Sequence, residues 1–389
     1  MSPSRELVLG GGRVILADRV LTPGWVALNG ERIEALGSGP PPPSASVVDC
    51  DGLWLVPGFV DMHVHGGGGA SFASDDMHEI ARAAEFQRAH GATSVIASLV
   101  GAPLDALEHQ LAALASCADA GLIAGVHLEG PWLSPVRCGA HDPRFLRAPD
   151  AGEVRKLLDA GRGCIRMVTL APELPGALEA IRAITAHGAV AAIGHTDADY
   201  AQTRAAIEAG ARVATHLFNA MRPLHHREPG AVLGVLEDRR VTLEIIADGL
   251  HVHDGLLRWL VASAGAERIA LITDAISATG AGDGDYALGG QRVVVRHGEA
   301  RLAVDQSTLA GSTLTMAAAV RHGVAKLGLE VESAARMASQ VPARALGLGG
   351  AGTLRVGGRA DLVLLDDAAT LHGTLWRGEW VGEPPRATR

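Results

Sequence analysis

The sequence predicts a closed (β/α)8 barrel of the TIM type, with a small β-sandwich domain formed from both chain ends. Short apolar strands alternate eight times with alanine-rich amphipathic helices in the central part of the chain. Strand-and-turn segments without such helices lie before and after this region. An open doubly wound sheet is the alternative, but it normally has fewer strands and a glycine-rich phosphate turn after the first strand.

The N-terminal segment is predicted to form half-buried antiparallel strands. The runs "LVLGGGRVIL" and "GWVALNGERIEAL" show the alternation typical of such strands, and Asn29-Gly30 is a strong hairpin signal. After Pro57 the pattern changes to the repeated β-α unit. Its predicted strands are, in chain order, "FVDMHVH", "ATSVIASLV", "IAGVHLEG", "IRMVTLAP", "AVAAIGHT", "RVATHLFNA", "VTLEIIADG" and "RIALITDA". The helix "DYAQTRAAIEAG" follows "TDAD", whose Asp and Thr residues suit a helix N-cap.

The chain departs from the barrel pattern after Ala275. The segment "DYALGGQRVVVRHGEARLAVD" predicts strands, while "AGSTLTMAAAVRHGVAKLG" and "VESAARMASQVPARALG" predict helices. The terminal segment "GTLRVGGRADLVLLD" returns to the style of the N-terminus, so the two ends can share one β-domain. We therefore expect β-sandwich at 1–57, barrel at 58–352 and β-sandwich again at 353–389.

Composition argues against several classes of function. The formal net charge of −9 comes without a basic block, so nucleic acid and anionic membranes are poor partners. The start of the chain has no signal-peptide pattern, and no apolar run reaches the roughly 18 residues of a membrane span. Four cysteines are scattered without C-x-x-C pairs. A cytoplasmic protein is the expectation.

Ionisable residues stand at the ends of several otherwise apolar strands. His63 and His65 face the same side of the first strand, at the carboxyl end where barrel enzymes build active sites. An isolated H-x-H is more often solvated, but other strands also end in polar residues: Glu129, His195, His216 and Asp274. Burying so many such groups costs several kcal/mol each unless they are paired or bind a cation. Imidazole and carboxylate ligands predict a divalent metal, without deciding between Zn, Fe, Mn and Co. The glycines at 66–69 leave room for substrate.

A set of motifs resembles the amidohydrolase superfamily over nearly the whole chain. The segments "PGFVDMHVHG", "HLEGPWLSPVRCGAHDP", "GHTDADY", "ATHLFNAM", "REPG", "DGLHV", "LITDA" and "LAGSTLTM" occur in the family's order. Within the superfamily the chain most resembles the N-acetylglucosamine-6-phosphate deacetylases. Strand four lacks the lysine that bridges two metals in many relatives, so Glu129 is the candidate bridge. The resemblance implies one or two ions per subunit, one held by His63, His65 and Glu129 and the other by Glu129, His195 and His216.

The resemblance also implies the roles of the remaining residues. Asp274 is expected to act as general base and acid, and His141 to polarise the acetyl carbonyl. The expected reaction converts N-acetyl-D-glucosamine 6-phosphate to D-glucosamine 6-phosphate and acetate. The candidate substrate-binding residues are Ala140, Asn219, Ala220, Arg227, His251 and Leu309. Arg227 is expected to reach the phosphate from the second subunit of a homodimer.

Alternative interpretations stay open at this point. The galactosamine epimer or another acylated amine would fit the same metal chemistry. A barrel that has lost catalysis and serves as a binding protein is a third possibility, although the ligand positions and Asp274 are all intact. Cys138 lies beside Arg137, but one arginine is thin support for a reactive thiol, and Cys138 is left out of the catalytic set.

Overall fold

The computed structural model describes residues 6–43 and 46–384. Within these residues two large sheets account for the architecture. One contains strands from both chain ends, and the other contains the barrel strands. None of the helices in this part of the chain has the length and apolarity that a membrane span needs.

The terminal sheet joins the beginning and the end of the chain, as predicted. Its eight strands are β1 (Glu6–Ile15), β2 (Val20–Asn29), β3 (Arg32–Ser38), β4 (Val47–Asp49), β5 (Trp54–Pro57), β19 (Leu362–Leu365), β20 (Leu371–Trp376) and β21 (Glu379–Trp380). The order is β21-β20-β19-β5-β1-β2-β3, with β4 paired to β1. The antiparallel pairing of β19 with β5 connects the two ends. Buried Leu9, Leu28, Ile33 and Leu364 belong to a core of its own.

The barrel sheet contains eight parallel strands in simple sequential order. They are β6 (Phe59–Val64), β9 (Ala92–Val100), β10 (Gly125–Glu129), β11 (Ile165–Leu170), β12 (Val190–Ile193), β13 (Val213–Ala214), β14 (Thr242–Ile246) and β15 (Ile269–Ile272). The order runs from β6 through β9 to β15, and β15 packs against β6. This confirms the predicted barrel and excludes the doubly wound alternative. All eight carboxyl ends lie on one rim.

Helices cover the outside of the barrel and follow its last strand. They are α1 (Met77–Ala89), α2 (Leu104–Asp119), α3 (Ala151–Ala160), α4 (Ala177–Ala186), α5 (Tyr200–Ala209), α6 (Gly230–Glu237), α7 (Asp254–Ala264), α8 (Met316–Leu327), α9 (Val331–Ala338) and α10 (Gln340–Ala345). The predicted N-cap before α5 is confirmed: the Asp199 side chain accepts from the Gln202 backbone N–H, within a capping box. Buried aliphatic side chains such as Leu107, Leu111 and Leu114 of α2 pack on the barrel strands.

Two small sheets lie beside the carboxyl rim. The first is the two-stranded pair β7 (Gly66–Gly67) and β8 (Ala70–Ser71), which directly follows His65 and was not predicted. The second is the antiparallel sheet of β16 (Gly284–Leu288), β17 (Gln291–Arg296) and β18 (Glu299–Leu302), in the segment predicted to form strands. Its buried Val293 and Val295 share a small core with Ala140 and Ile276. This sheet therefore packs on loops of the predicted site. The domain boundaries at 57/58 and 352/353 stay predictions.

Candidate active site

The predicted ligands converge at the carboxyl rim of the barrel. His63 lies in β6 and Glu129 ends β10, while the other predicted groups lie one to two residues beyond their strands. His195, His216 and Asp274 have φ values of 45°, 27° and 51°, in the left-handed region that non-glycine residues rarely adopt. Strained backbone persists only where the surrounding structure holds it, and such positions cluster at functional sites.

Glu129 lies between two groups of imidazoles. Its Oε1 is 2.9 Å from His216 Nε2 and 3.1 Å from His195 Nε2. Its Oε2 is 3.4 Å from His65 Nε2 and 3.5 Å from His63 Nε2. The two oxygens of one carboxyl group therefore face different sets of histidines.

Asp274 belongs to the first of these groups. Its Oδ1 lies 3.1 Å from His65 Nε2 and 3.5 Å from His63 Nε2, and the two histidine Nε2 atoms are 3.3 Å apart. The three residues form one set of atoms close enough to hold a metal ion. A second such set contains Glu129, His141 and His195.

The hydrogen bonds of the histidines test whether these residues fit a cation. Nδ1 of His63 contacts Glu244 Oε2 at 3.2 Å, Nδ1 of His65 contacts the Ser98 carbonyl at 3.2 Å, and Nδ1 of His195 contacts the Arg137 carbonyl at 2.9 Å. Since each partner is an acceptor, the neutral rings carry their proton on Nδ1 and turn the Nε2 lone pair toward the carboxylates. Lone pairs facing lone pairs in a buried site require a positive charge between them, so the residues fit a divalent metal.

The electrostatics of the site favour positive charge at its centre. Burial lowers the pKa of His63, but the charges of Glu129 and Asp274 outweigh it and raise this pKa well above 6.5. Burial also lowers the pKa of His65, but hydrogen bonds to Asp274 and Glu129 outweigh it and raise this pKa to about 9. In turn, burial raises the pKa of Asp274, but His63 and His65 lower it to about 2. A divalent cation supplies positive charge at the same place.

His141 occupies the rim beside Glu129. The Gly101 backbone N–H donates to His141 Nδ1 at 3.3 Å, and His141 Nε2 lies 3.4 Å from Glu129 Oε2. Burial and the charge of His195 lower the pKa of His141 to about 4. A neutral ring that accepts at Nδ1 carries its proton on Nε2, so His141 presents an N–H group to the site.

A cavity of about 240 Å³ opens onto the ligands. It contains five of the six predicted substrate-binding residues: Ala140, Asn219, Ala220, His251 and Leu309. His251 is fixed by a 2.6 Å contact of its Nδ1 with Asp248 Oδ2. Arg227 lies outside the cavity, on the surface, where its Nη1 is 2.7 Å from His226 Nε2.

The structure weakens the case for a reactive Cys138. The guanidinium of the neighbouring Arg137 is engaged by Asp197, with contacts of 2.9 Å and 2.8 Å. Arg222 binds the other oxygen of Asp197 at 2.7 Å. The cation that could activate the thiol is therefore already paired.

Several residues that contact the predicted site were missed by sequence reasoning. Glu244 contacts His63, and Asp61 accepts from the backbone N–H of His63 at 3.3 Å and from Thr273 Oγ1 at 2.5 Å. Val100 and Leu288 line the cavity. A signal for Glu244 was available, since "TLEII" places one carboxyl group inside an apolar barrel strand.

The fold and the site together define a class: a barrel whose strand ends bring together histidine and carboxyl side chains that could hold a metal ion. A sequence model described as the Amidohydrolase family matches residues 54–383, and the chain belongs to this family.

Known deacetylases are similar to this chain over most of their length. A point mutant of N-acetyl-D-glucosamine-6-phosphate deacetylase from Mycobacterium smegmatis, solved with N-acetyl-D-glucosamine-6-phosphate, has a TM-score of 0.93 and 49% identity, over 97% of this chain and 99% of the other. N-acetylgalactosamine-6-phosphate deacetylase of Escherichia coli O157:H7 is 39% identical over 360 residues, 91% of this chain and 95% of the relative. The human N-acetylglucosamine-6-phosphate deacetylase is 38% identical over 353 residues, 87% and 86% of the two chains. The resemblance stated from the motifs is confirmed.

Proposed function

We propose that the protein hydrolyses the acetamide of N-acetyl-D-glucosamine 6-phosphate, giving D-glucosamine 6-phosphate and acetate. The observation that carries this proposal is the convergence of histidine Nε2 atoms on the two oxygens of Glu129, beside a cavity that contains the candidate sugar contacts. The similarity to deacetylases of such sugars supports the choice of substrate.

Two positions for divalent ions are proposed. The first would be held by His63, His65, Asp274 and Glu129, and the second by His195, His216 and Glu129. A divalent ion bound there acidifies water and polarises an amide carbonyl near neutral pH. The ligands leave the choice between Zn, Fe, Mn and Co to experiment.

The chain's own residues move the protons. Asp274 accepts the proton of the attacking water and delivers it to the amine nitrogen as the carbon–nitrogen bond breaks. Its carboxyl group is suited to this role because it lies on the rim of the cavity. His141 donates its Nε2–H to the acetyl oxygen as negative charge develops there.

The sugar phosphate is assigned to the part of the cavity that Asn219 and Ala220 line, and His251 is proposed to contact the sugar. Arg227, exposed in the single chain, is proposed to bind the phosphate of a neighbouring subunit in a homodimer, because its forked donors match phosphate oxygens. A cytoplasmic location fits this use of a metabolite.

A second candidate substrate is N-acetylgalactosamine 6-phosphate. The 39% identity to the Escherichia coli deacetylase of that sugar favours it as an alternative. The two sugars differ only in the configuration of one hydroxyl group, which the wall around His251 and Leu309 would have to recognise.

The deciding experiment measures acetate release by protein loaded with a counted amount of Zn²⁺, Mn²⁺ or Fe²⁺. The three substrates are N-acetylglucosamine 6-phosphate, N-acetylgalactosamine 6-phosphate and unphosphorylated N-acetylglucosamine. We expect selective turnover of N-acetylglucosamine 6-phosphate. Faster turnover of the galactosamine epimer would establish the alternative, and no release from any of the three by metal-loaded protein would overturn both.

A further inference from the structure

Glu244 is a fully buried acidic residue that the proposed reaction does not use. It lies in β14, in register with Ala270 of β15, and its side chain has no solvent exposure. Burying a carboxyl group is costly unless its oxygens are hydrogen-bonded, so its partners indicate what it does.

One oxygen of Glu244 serves both groups of proposed ligands. Oε2 lies 3.2 Å from Nδ1 of His63, which belongs to the first group. The same atom accepts from the backbone N–H of His216, in the second group, at 3.1 Å. The other oxygen, Oε1, has no hydrogen-bond partner within the part of the chain that the structure describes.

The bond to His63 fixes the orientation of its ring. Because Glu244 accepts at Nδ1, the lone pair of Nε2 turns toward Glu129 and Asp274. His65 and His195 obtain the same orientation from main-chain carbonyls. His63 depends instead on a side chain, which a single substitution can remove.

The hydrogen bonds between Glu244 and the second group of ligands hold strained backbone at His216. His216 has a φ of 27°, and the next residue, Leu217, donates its backbone N–H to the Glu244 carbonyl at 2.8 Å. Glu244 thus holds two successive N–H groups of this turn, one with its side chain and one with its main chain. The turn aims the His216 ring at Glu129.

We propose that Glu244 is a positioning residue that couples the two metal-ligand groups through a single acceptor atom, aiming His63 directly and His216 through its backbone. The inference rests on the proposed metal site, and it concerns metal affinity rather than substrate turnover. Carboxyl groups that orient ligand histidines typically contribute 10- to 100-fold in metal affinity.

Three substitutions separate the contributions of Glu244. In Glu244→Gln the amide oxygen can occupy the Oε2 position and keep both hydrogen bonds. Glu244→Asp retains the acidic group but withdraws it by about 1.5 Å, the length of one carbon–carbon bond. Glu244→Leu removes the acceptor at similar volume. Asp238→Asn is the matched control, since Asp238 is also buried and acidic but binds Arg240 and Arg204 away from the site.

Zn²⁺ affinity is measured by competition with a chromogenic chelator, and folding of each metal-free variant is followed by circular dichroism. We expect Glu244→Gln and Asp238→Asn to stay within about tenfold of the original affinity, while Glu244→Asp and Glu244→Leu lose about 10- to 100-fold. Wild-type affinity in folded Glu244→Leu would overturn the proposal. If Glu244→Leu does not fold, the comparison of Glu244→Asp with Glu244→Gln decides. Tighter Zn²⁺ binding by Glu244→Asp than by Glu244→Gln would also overturn the proposal.

These outcomes are separable from those of the proposed function. A wild-type protein that binds Zn²⁺ but releases no acetate would refute the function and leave the Glu244 comparison intact. An active enzyme whose Glu244 variants all bind Zn²⁺ equally well would refute only the positioning role.

Discussion

Replacing Asp274 with Asn tests the proposed proton transfer with little change of shape. The left-handed φ of 51° at this position is one that Asn adopts readily. The turn itself is held by main-chain bonds, from Asp274 N–H to the His63 carbonyl at 2.9 Å and from Ser312 N–H to the Asp274 carbonyl at 2.7 Å. The substitution therefore removes an acid–base group and a negative charge while retaining the backbone.

The expected size of the effect follows from the role of the lost group. General acid–base catalysis contributes about 10²- to 10⁴-fold, which corresponds to roughly 3–5 kcal/mol of transition-state stabilisation. Metal binding should persist for two reasons. The contacts among Glu129, His195 and His216 do not involve Asp274, and the first group still contains His63 and His65.

The assay compares kcat and kcat/KM for acetate release with the bound metal counted on the same samples. Asp285→Asn is a suitable control, since this exposed aspartate pairs with Arg292 on the sheet beside the site. Activity within tenfold of wild type in the Asp274→Asn variant would refute the base role. Loss of an ion from that variant would instead make Asp274 chiefly a ligand.

Four further substitutions test the substrate site, the ligand geometry and the stability of the barrel. Arg227→Ala should raise KM for the phosphorylated sugar more than tenfold and leave the unphosphorylated sugar unchanged in steady-state assays; equal effects on both would remove Arg227 from the phosphate site. Gly139→Ala should lower both the Tm and the metal content, because φ is 54° and the new Cβ would lie 3.0 Å from His195 Cε1. Gly163→Ala is the control: φ is 81° and nothing lies within 4 Å of the new Cβ, so backbone strain of about 1–2 kcal/mol should lower the Tm without changing the metal content. Asp238→Asn should lower the Tm at pH 7, because hydrogen bonds from Arg240 hold the pKa of Asp238 well below 3.8. A carboxyl group with a lowered folded-state pKa stabilises the protein above its unfolded pKa, so the difference in Tm should shrink as the pH falls below about 4; a constant difference from pH 7 to pH 3 would contradict this.

Local patterns were sufficient to predict the barrel and the main candidate residues of the site. The eight strands, the N-cap before α5 and the shared terminal sheet all follow from periodicity and turn chemistry that neighbouring residues determine. Parallel strands in a barrel bring their carboxyl ends together, so polar residues at those ends had to meet. The convergence of His63, Glu129 and His216 was predictable for that reason.

The contacts between individual side chains of the site depend on distances between barrel strands, which no local sequence pattern determines. Only the folded chain places Oε1 and Oε2 of Glu129 against different histidines and assigns Asp274 to the group of His65. It also pairs Arg137 with Asp197 rather than leaving it to Cys138. Glu244 lies 181 residues from His63 in the sequence, and its contact exists because closure of the barrel leaves only β15 between β14 and β6. Local sequence patterns place these chemical groups at the rim, and closure of the barrel sets which of them come into contact.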